Sequence, residues 1–173
     1  MGNISRFTSI ALSLLPFFNI SLAGPIIRLG PNSVVEGTLQ QSAPQVEQYL
    51  DIPYALPPVG DLRWVPPQPT KNEAYINATK LPPSCMQSIP DSDPGYSVFP
   101  PEFSIPGGNS APMSEDCLKL AIWKPVNSSI TQPLPVLIFI HGGAFMGGGL
   151  SVPYQIPENW VQRKQNLIVV SVK

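Results

Sequence analysis

The apolar run Leu134-Pro-Val-Leu-Ile-Phe-Ile140 leads directly into the glycine-rich stretch His141-Gly-Gly-Ala-Phe-Met-Gly-Gly-Gly149. An uninterrupted apolar run of this kind is typical of a strand that is buried on both faces. Residues 157–165 carry helix signals, and Leu167–Val172 is a second apolar run. Because strand, glycine loop, helix and strand form a βαβ unit, the sequence predicts a parallel sheet and an α/β fold.

A glycine cluster at the end of a buried strand lets the backbone approach a ligand closely and direct its N–H groups toward it. One use of such a loop is phosphate binding, but the chain contains neither G-x-G-x-x-G nor G-x-x-x-x-G-K-[ST]. The other use is an oxyanion hole, in which backbone N–H groups stabilise the negative oxygen formed during acyl transfer. His-Gly-Gly-X after a buried strand is the element that supplies such donors in esterases, so the sequence favours the second use.

Upstream of this unit the sequence is less regular. Residues 26–50 contain short alternating apolar runs between turn signals, which predict a small antiparallel meander. Residues 52–69 contain six prolines and are predicted to be an extended strap, either packed on the core or recognised as a polyproline ligand. Residues 86–116 lie between two cysteines and show no regular period. Two interpretations of this loop stand equally, a substrate lid and a cover packed on the core.

The composition argues against several functional classes. The 173 residues include 10 basic and 11 acidic side chains without a basic block, which argues against nucleic-acid binding. One histidine and two cysteines argue against a metal site built from these residues, and no cofactor is predicted. Apolar residues make up 43% of the chain, which is enough to build a core.

The first 23 residues have the pattern of a secretory signal peptide. They contain one charge, Arg6, an apolar stretch and the small-residue sequence Ser21-Leu-Ala23. The apolar stretch is too short and too interrupted for a transmembrane span, so we expect cleavage near Ala23. No other segment is predicted to span a membrane, and the expected location is extracellular.

The predicted secretion affects how the cysteines and two Asn sequons are interpreted. Cys85 and Cys117 are the only cysteines, and a disulfide between them is the default in an oxidising compartment. The sequons Asn77-Ala-Thr79 and Asn127-Ser-Ser129 are then candidate N-glycosylation sites.

Three motifs follow one another along the mature chain: YLDIPYALPPVGDLRW at Tyr49–Trp64, SEDCL at Ser114–Leu118 and LPVLIFIHGGAF at Leu134–Phe145. In this order they resemble the N-terminal part of type-B carboxylesterases, the family that includes cholinesterases and some fungal lipases. The resemblance implies an α/β-hydrolase fold, of which this chain holds an N-terminal antiparallel meander and the first strands of the central, mostly parallel sheet. It also implies that residues 24–173 are the first part of a larger domain, truncated before the turn that carries the nucleophile.

The resemblance assigns roles within the glycine loop. The amides of Gly143 and Ala144 would donate to the oxyanion, and Gly142 would form the turn before them. His141 is not expected to be the catalytic base, because the base of the family lies further along the chain.

The resemblance also points to two structural pairs. Cys85–Cys117 corresponds to the first disulfide of the family, and Arg63 and Glu115 correspond to an ion pair that ties the proline strap to the following strand. Three positions depart from the family pattern. Asp51 stands where glycine is usual, Lys119 stands where an aromatic residue or threonine is usual, and Ala121 stands where asparagine is usual.

The implied function is carboxylic-ester hydrolysis, by acyl transfer to a serine followed by attack of water, with a small ester or a lipid as substrate. The chain contains no G-x-S-x-G, so the nucleophilic serine, its acidic partner and the histidine base would lie outside these 173 residues. This chain alone is therefore predicted to be inactive. The alternative is a secreted, non-catalytic binding or adhesion protein, since some relatives keep the fold without activity.

Overall fold

A computed structural model describes residues 24–70, 73–87, 112–129, 131–143, 145 and 147–173. The predicted signal peptide and most of the loop between the cysteines lie outside these residues. Within them, the strands are β1 (Ile26–Arg28), β2 (Val34–Glu36), β3 (Thr38–Gln40), β4 (Ala43–Pro53), β5 (Tyr75–Asn77), β6 (Lys119–Pro125), β7 (Val136–Ile140) and β8 (Ile168–Val172). The helix α1 spans Glu158–Lys164, and 3₁₀ turns span Gly60–Leu62 and Pro153–Gln155. No helix in this part of the chain is long and apolar enough to cross a membrane.

The central sheet has five strands in the order β3-β4-β6-β8-β7. Strands β7 and β8 run parallel, with Val136 opposite Ile168 and Ile140 opposite Val172. The chain passes from β7 through the glycine loop and α1 to β8, which confirms the predicted βαβ unit. Since β6 is antiparallel to both β4 and β8, the sheet as described is mixed.

The N-terminal segment is antiparallel, as predicted, but it is divided between two sheets. Strand β1 pairs with β2, and β3 pairs with β4, both in antiparallel fashion. Strand β2 also pairs in parallel with β5, which makes a separate three-stranded sheet. The chain changes sheets at the buried Gly37, whose N–H donates to the Pro25 carbonyl at 2.8 Å.

Both faces of the central sheet are covered around β4 and β6. Helix α1 packs on one face, over a cluster of buried side chains that comprises Ala43, Val46, Leu50, Ala121, Trp123, Leu150, Val161 and Val169. The three-stranded sheet lies against the opposite face, where the buried cluster comprises Val35, Tyr49, Ile52, Ile76 and Ala78. This burial of apolar surface is the main stabilising contribution, and it centres on β4 and β6.

A buried amide joins the central sheet to the helix. Gln48 is only 2% exposed, and its side-chain Oε1 accepts a hydrogen bond from Trp123 Nε1 at 3.2 Å. Its Nε2 donates to Glu158 Oε2 at 3.1 Å. Because both ends of the buried amide have partners, its desolvation is compensated, and the first turn of α1 is held over β4 and β6.

Strand β7 differs from the rest of the sheet because its side chains are largely exposed. Ile138 is 66% exposed and Ile140 is 77% exposed. The sequence predicted burial on both faces, but among the described residues β7 lies at an edge and α1 packs over β4 and β6. An apolar strand is buried only where other elements cover it. Among the described residues, no helix or further strand covers β7 in this way.

Two of the positions that depart from the family pattern, Asp51 and Lys119, lie together. Lys119 Nζ is 3.7 Å from Asp51 Oδ1 and 3.3 Å from Asp116 Oδ1. Burial raises the pKa of the Asp51 carboxyl above its ordinary value; Lys119 and Lys173 oppose this rise and Asp116 adds to it. The ionised form of Asp51 is therefore less favourable in the folded protein than in the unfolded chain.

We expect Asp51→Asn to stabilise the full-length protein at about pH 7 and to have little effect at about pH 3. Because the pKa of Asp51 is raised on folding, its contribution to stability is fully present below the unfolded pKa and is lost as pH rises through the folded pKa. Asparagine mimics the protonated form at every pH, so the variant avoids this loss. Denaturant unfolding at both pH values measures the difference.

The exposed residue Asp61 provides the matched control for this change. Asp61→Asn changes an exposed side chain and should alter the free energy of unfolding by less than about 0.5 kcal/mol. If Asp51→Asn destabilises the protein at neutral pH, the attraction of Lys119 outweighs the cost of burying the Asp51 carboxylate, and the prediction is wrong.

Candidate active site

The glycine loop, residues 141–149, begins at the carboxyl end of β7. This is the edge at which open α/β sheets bind their ligands. Gly142 and Gly143 are exposed there, whereas Gly148 and Gly149 at the other end of the loop, and Leu150 after it, are buried. A ligand can therefore reach Gly142 and Gly143, and the buried glycines anchor the loop.

The two halves of the loop fold back on each other. Gly147 N–H donates to the Gly143 carbonyl at 3.2 Å. Gly143 has φ 142°, and a Cβ at this position would overlap the Gly147 carbonyl oxygen. Gly148 has φ 125°, and a Cβ there would lie 2.6 Å from the Gly142 carbonyl oxygen. Both positions therefore require glycine for backbone conformation and for space.

His141 supports the loop. Its Nδ1 lies 2.9 Å from the Gly142 carbonyl oxygen, and a Cβ added at Gly148 would come within 2.5 Å of the same nitrogen. The imidazole is thus packed between the first and last parts of the loop. That His141 is not the catalytic base stays a prediction.

A side chain from outside the loop also holds it. Gln87 Oε1 accepts a hydrogen bond from Gly148 N–H at 2.7 Å, and Gln87 Nε2 donates to the Gly148 carbonyl at 3.1 Å. The same Nε2 donates to the Cys85 carbonyl at 3.2 Å. One amide therefore pairs with both backbone groups of Gly148 and ties them to the segment that begins at Cys85.

That segment is itself fixed. Cys85 and Cys117 form a disulfide, as the sequence predicted. Beside it, Ser84 N–H donates to the Pro112 carbonyl at 2.9 Å, and Ser114 N–H donates to the Ser84 carbonyl at 2.8 Å. The disulfide and these backbone pairs bring together the two ends of the intervening loop next to the start of β6.

Comparison with known proteins decides the family. The sequence profile of the carboxylesterase family matches residues 25–173. The chain belongs to the carboxylesterase family. It is 45% identical over 139 residues to the chlorogenic acid esterase of Aspergillus niger and 42% identical over 140 residues to secreted lipase 5 of Gibberella zeae. These matches cover 79% and 75% of this chain, respectively.

A solved structure supports the same assignment. The crystal structure of Aspergillus niger EstA matches 87% of this carboxylesterase-family chain with a TM-score of 0.66 and 26% sequence identity. The α/β-hydrolase fold expected from the sequence is thereby confirmed, in the incomplete form that the described strands provide. The chain spans about a quarter of the relatives, since it covers 26% of EstA and 26% of each of the two fungal proteins.

The predicted oxyanion residues can now be placed in the carboxylesterase-family chain. Gly142 and Gly143 lie at the exposed turn that follows β7 and His141. Ala144 lies outside the described residues. The Gln87 contact was not predicted, because an amide side chain two residues after a cysteine carries no signal that separates it from an ordinary surface glutamine.

The predicted ion pair is present at the surface. Arg63 Nη1 lies 3.1 Å from Glu115 Oε1, with the two side chains 54% and 38% exposed. The Arg63 guanidinium also lies 5.5 Å from the ring centroid of Trp64. At this exposure such a pair contributes about 0–1 kcal/mol, so it orients the strap more than it stabilises the fold.

Both predicted glycosylation sequons lie on the surface. Asn77 is exposed, and its Oδ1 accepts hydrogen bonds from Thr79 N–H at 3.2 Å and from Thr79 Oγ1 at 2.7 Å. Asn127 is exposed in the turn after β6. Within the part of the chain that the structure describes, no cluster of His, Cys, Asp or Glu side chains could hold a metal ion.

Removing the disulfide should destabilise the full-length protein by about 3–4 kcal/mol, because the bond closes a loop between residues 32 positions apart. The test is denaturant unfolding of a Cys85→Ala/Cys117→Ala double variant. Reductant should destabilise the wild type more than it destabilises this variant. A loss of less than about 1 kcal/mol would show that the backbone pairs at Ser84 hold the loop without the bond.

Proposed function

We propose that this chain is the N-terminal part of a secreted carboxylic-ester hydrolase that transfers the acyl group of its substrate to a serine and then to water. The observation that carries the proposal is the glycine loop. It leaves Gly142 and Gly143 exposed at the carboxyl end of β7, and Gly148 and Gly149 at its other end are buried. The matches to proteins named as an esterase and a lipase support the same reaction class.

In the proposed reaction, the serine oxygen bonds to the carbonyl carbon of the ester, and the carbonyl oxygen becomes negatively charged. The N–H groups of Gly143 and Ala144 would donate to this oxygen, which stabilises the transition state more than the substrate. Collapse of the intermediate breaks the ester C–O bond, and the proton that the histidine base took from the serine passes to the leaving oxygen, which releases the alcohol. Water then attacks the acyl-serine through the same oxyanion site and releases the acid.

The nucleophile, its acidic partner and the histidine base would lie outside these 173 residues. Under the proposal, residues 1–23 form a signal peptide, and residues 24–173 begin a domain that continues to the nucleophile, the acid and the histidine. The exposed apolar side chains of Ile138 and Ile140 support this arrangement, because a following strand and helix would cover them. The exposed sequons at Asn77 and Asn127 are proposed to carry N-glycans.

The experiment is expression of the full-length protein that contains this sequence, followed by ester hydrolysis and labelling with a fluorophosphonate probe. We expect turnover of p-nitrophenyl butyrate and one labelled serine in a G-x-S-x-G sequence. Chlorogenic acid and a triacylglycerol, tested in parallel, distinguish an aromatic ester substrate from a lipid. A complete domain without turnover and without labelling would favour the non-catalytic alternative.

Secretion is tested separately on the protein recovered from the culture medium. N-terminal sequencing should begin at Gly24, and removal of N-glycans should lower the apparent mass in the wild type but less in an Asn77→Gln/Asn127→Gln variant. Retention of residues 1–23 in the mature protein would overturn the signal-peptide assignment.

A further inference from the structure

Three features of the described structure meet at Gly148. Its backbone is paired at both the N–H and the carbonyl with the amide of Gln87. Its Cα faces the Gly142 carbonyl and the His141 ring so closely that a Cβ would come within 2.6 Å of either group. Gly148 is also buried, and its hydrogen bonds to Gln87 are partly buried.

The contacts form a continuous path from the disulfide to the exposed turn. Gln87 is held at the Cys85 carbonyl and in turn holds Gly148. Gly148 lies against the Gly142 carbonyl, and the preceding residue, Gly147, donates to the Gly143 carbonyl. The Gly142 and Gly143 carbonyls, which lie on either side of the Gly143 N–H, are therefore in contact with Gly148 and Gly147, and Gln87 holds this part of the loop through Gly148.

We propose that Gln87 is a positioning residue for the oxyanion loop: its side-chain amide fixes Gly148 and thereby sets the direction of the Gly143 N–H. This inference rests on the proposed ester hydrolysis. The amide suits the role because it presents one acceptor and donors in the same plane, which match the N–H and carbonyl of a single residue. An aliphatic side chain of similar length would fill the space without fixing either backbone group.

The loop requires such support because its first half is exposed and glycine-rich. Gly142 and Gly143 have no Cβ to restrict their backbone, so several conformations compete once the support is lost. Oxyanion donors act only when they are held at the place where the charge forms, and a displacement of about 1 Å can cost roughly 100-fold in rate. Loss of the Gln87 amide is therefore predicted to lower kcat.

The test compares Gln87→Met with Gln162→Met in the full-length protein. Methionine keeps the length of the side chain and removes its hydrogen bonds. Gln162 is the matched control, because its Oε1 accepts a hydrogen bond from Gln45 N–H at 3.0 Å, between α1 and β4 and outside the glycine loop. We expect Gln87→Met to lower kcat by about 10- to 100-fold with KM changed by less than about threefold, and Gln162→Met to leave both unchanged.

A second measurement does not depend on ester hydrolysis. The Gly147 N–H bonds to Gly143 and does not touch Gln87, so its hydrogen exchange reports the loop itself. We expect this exchange to be at least about tenfold faster in Gln87→Met and unchanged in Gln162→Met. Gln87→Glu keeps the acceptor for Gly148 N–H but sets a carboxylate oxygen against the Gly148 and Cys85 carbonyls, so it should also speed this exchange.

The outcomes separate the two proposals. If the wild type does not hydrolyse esters, the proposed function fails, and the exchange of the Gly147 N–H alone decides whether Gln87 positions the loop. If the wild type is active, unchanged exchange in Gln87→Met overturns the inference. The inference also fails if Gln87→Met exchanges the Gly147 N–H faster but keeps a normal kcat, or if it raises KM without lowering kcat. In either case the reaction would not depend on Gln87.

Discussion

Gly143→Ala is expected to lower the kcat of the full-length protein for a short acyl ester by about 10²–10³-fold. Alanine is strained at φ 142°, and its Cβ would overlap the Gly147 carbonyl oxygen. Relief of this overlap requires the loop to open, which breaks the 3.2 Å hydrogen bond from Gly147 N–H to the Gly143 carbonyl. The Gly143 N–H then leaves the direction in which it would meet the oxyanion.

The kinetic pattern distinguishes this effect from a general loss of structure. Because the oxyanion forms only in the transition state, kcat and kcat/KM should fall together while KM changes little. Gly30→Ala is the matched control, since Gly30 also has a positive φ of 78° but no atom lies within 4 Å of an added Cβ. It should cost about 1 kcal/mol of stability and leave kcat unchanged. A Gly143→Ala enzyme with wild-type kcat would remove Gly143 from the proposed oxyanion hole.

Trp123→Ala should lower the free energy of unfolding by about 3–5 kcal/mol. Trp123 is 1% exposed and belongs to the cluster between the central sheet and α1. Removal of Trp123 leaves a cavity. It also leaves the buried Oε1 of Gln48 without its hydrogen-bond donor, the indole N–H at 3.2 Å. The orphaned amide adds to the cost of the cavity, because a buried acceptor without a donor keeps its desolvation penalty.

Denaturant unfolding of the full-length protein measures this loss. Trp64→Ala removes the same side chain from a position that is 92% exposed, so it should cost less than about 1 kcal/mol. A Gln48→Leu/Trp123→Ala double variant should lose less than the sum of the single changes, because the amide is no longer left without a donor. Equal losses for Trp123→Ala and Trp64→Ala would show that the core around β6 does not depend on the buried indole.

The parts of the fold that the sequence predicted correctly are those with local signals. The apolar runs before and after the glycine loop predicted β7 and β8, and the helix signals between them predicted α1 within one residue at each end. Together these three elements implied the parallel pairing. The disulfide was predicted because the chain contains only two cysteines.

The details that the sequence did not predict involve partners far apart in the chain. Gln87 and Gly148 are 61 positions apart, and no local pattern marks either as the partner of the other. Asp51 and Lys119 each departed from a family pattern, but only their 3.7 Å separation across neighbouring strands reveals that they form a pair. Burial of β7 was predicted from its apolar composition, whereas its exposure depends on which elements lie beside it.

The sequence by itself therefore determined the order of strand, glycine loop, helix and strand, and its motifs resembled the family that the comparisons confirmed; the oxyanion role of the loop stays a prediction. The order of these elements follows from side-chain period and backbone freedom, which act between neighbours in the chain. Only the tertiary structure decided how the loop is held: Gly143 folds against Gly147, and Gln87 binds both backbone groups of Gly148. The physical reason is that a hydrogen bond depends on distance and direction in space, and these are set by the packing of the sheet and the disulfide segment together.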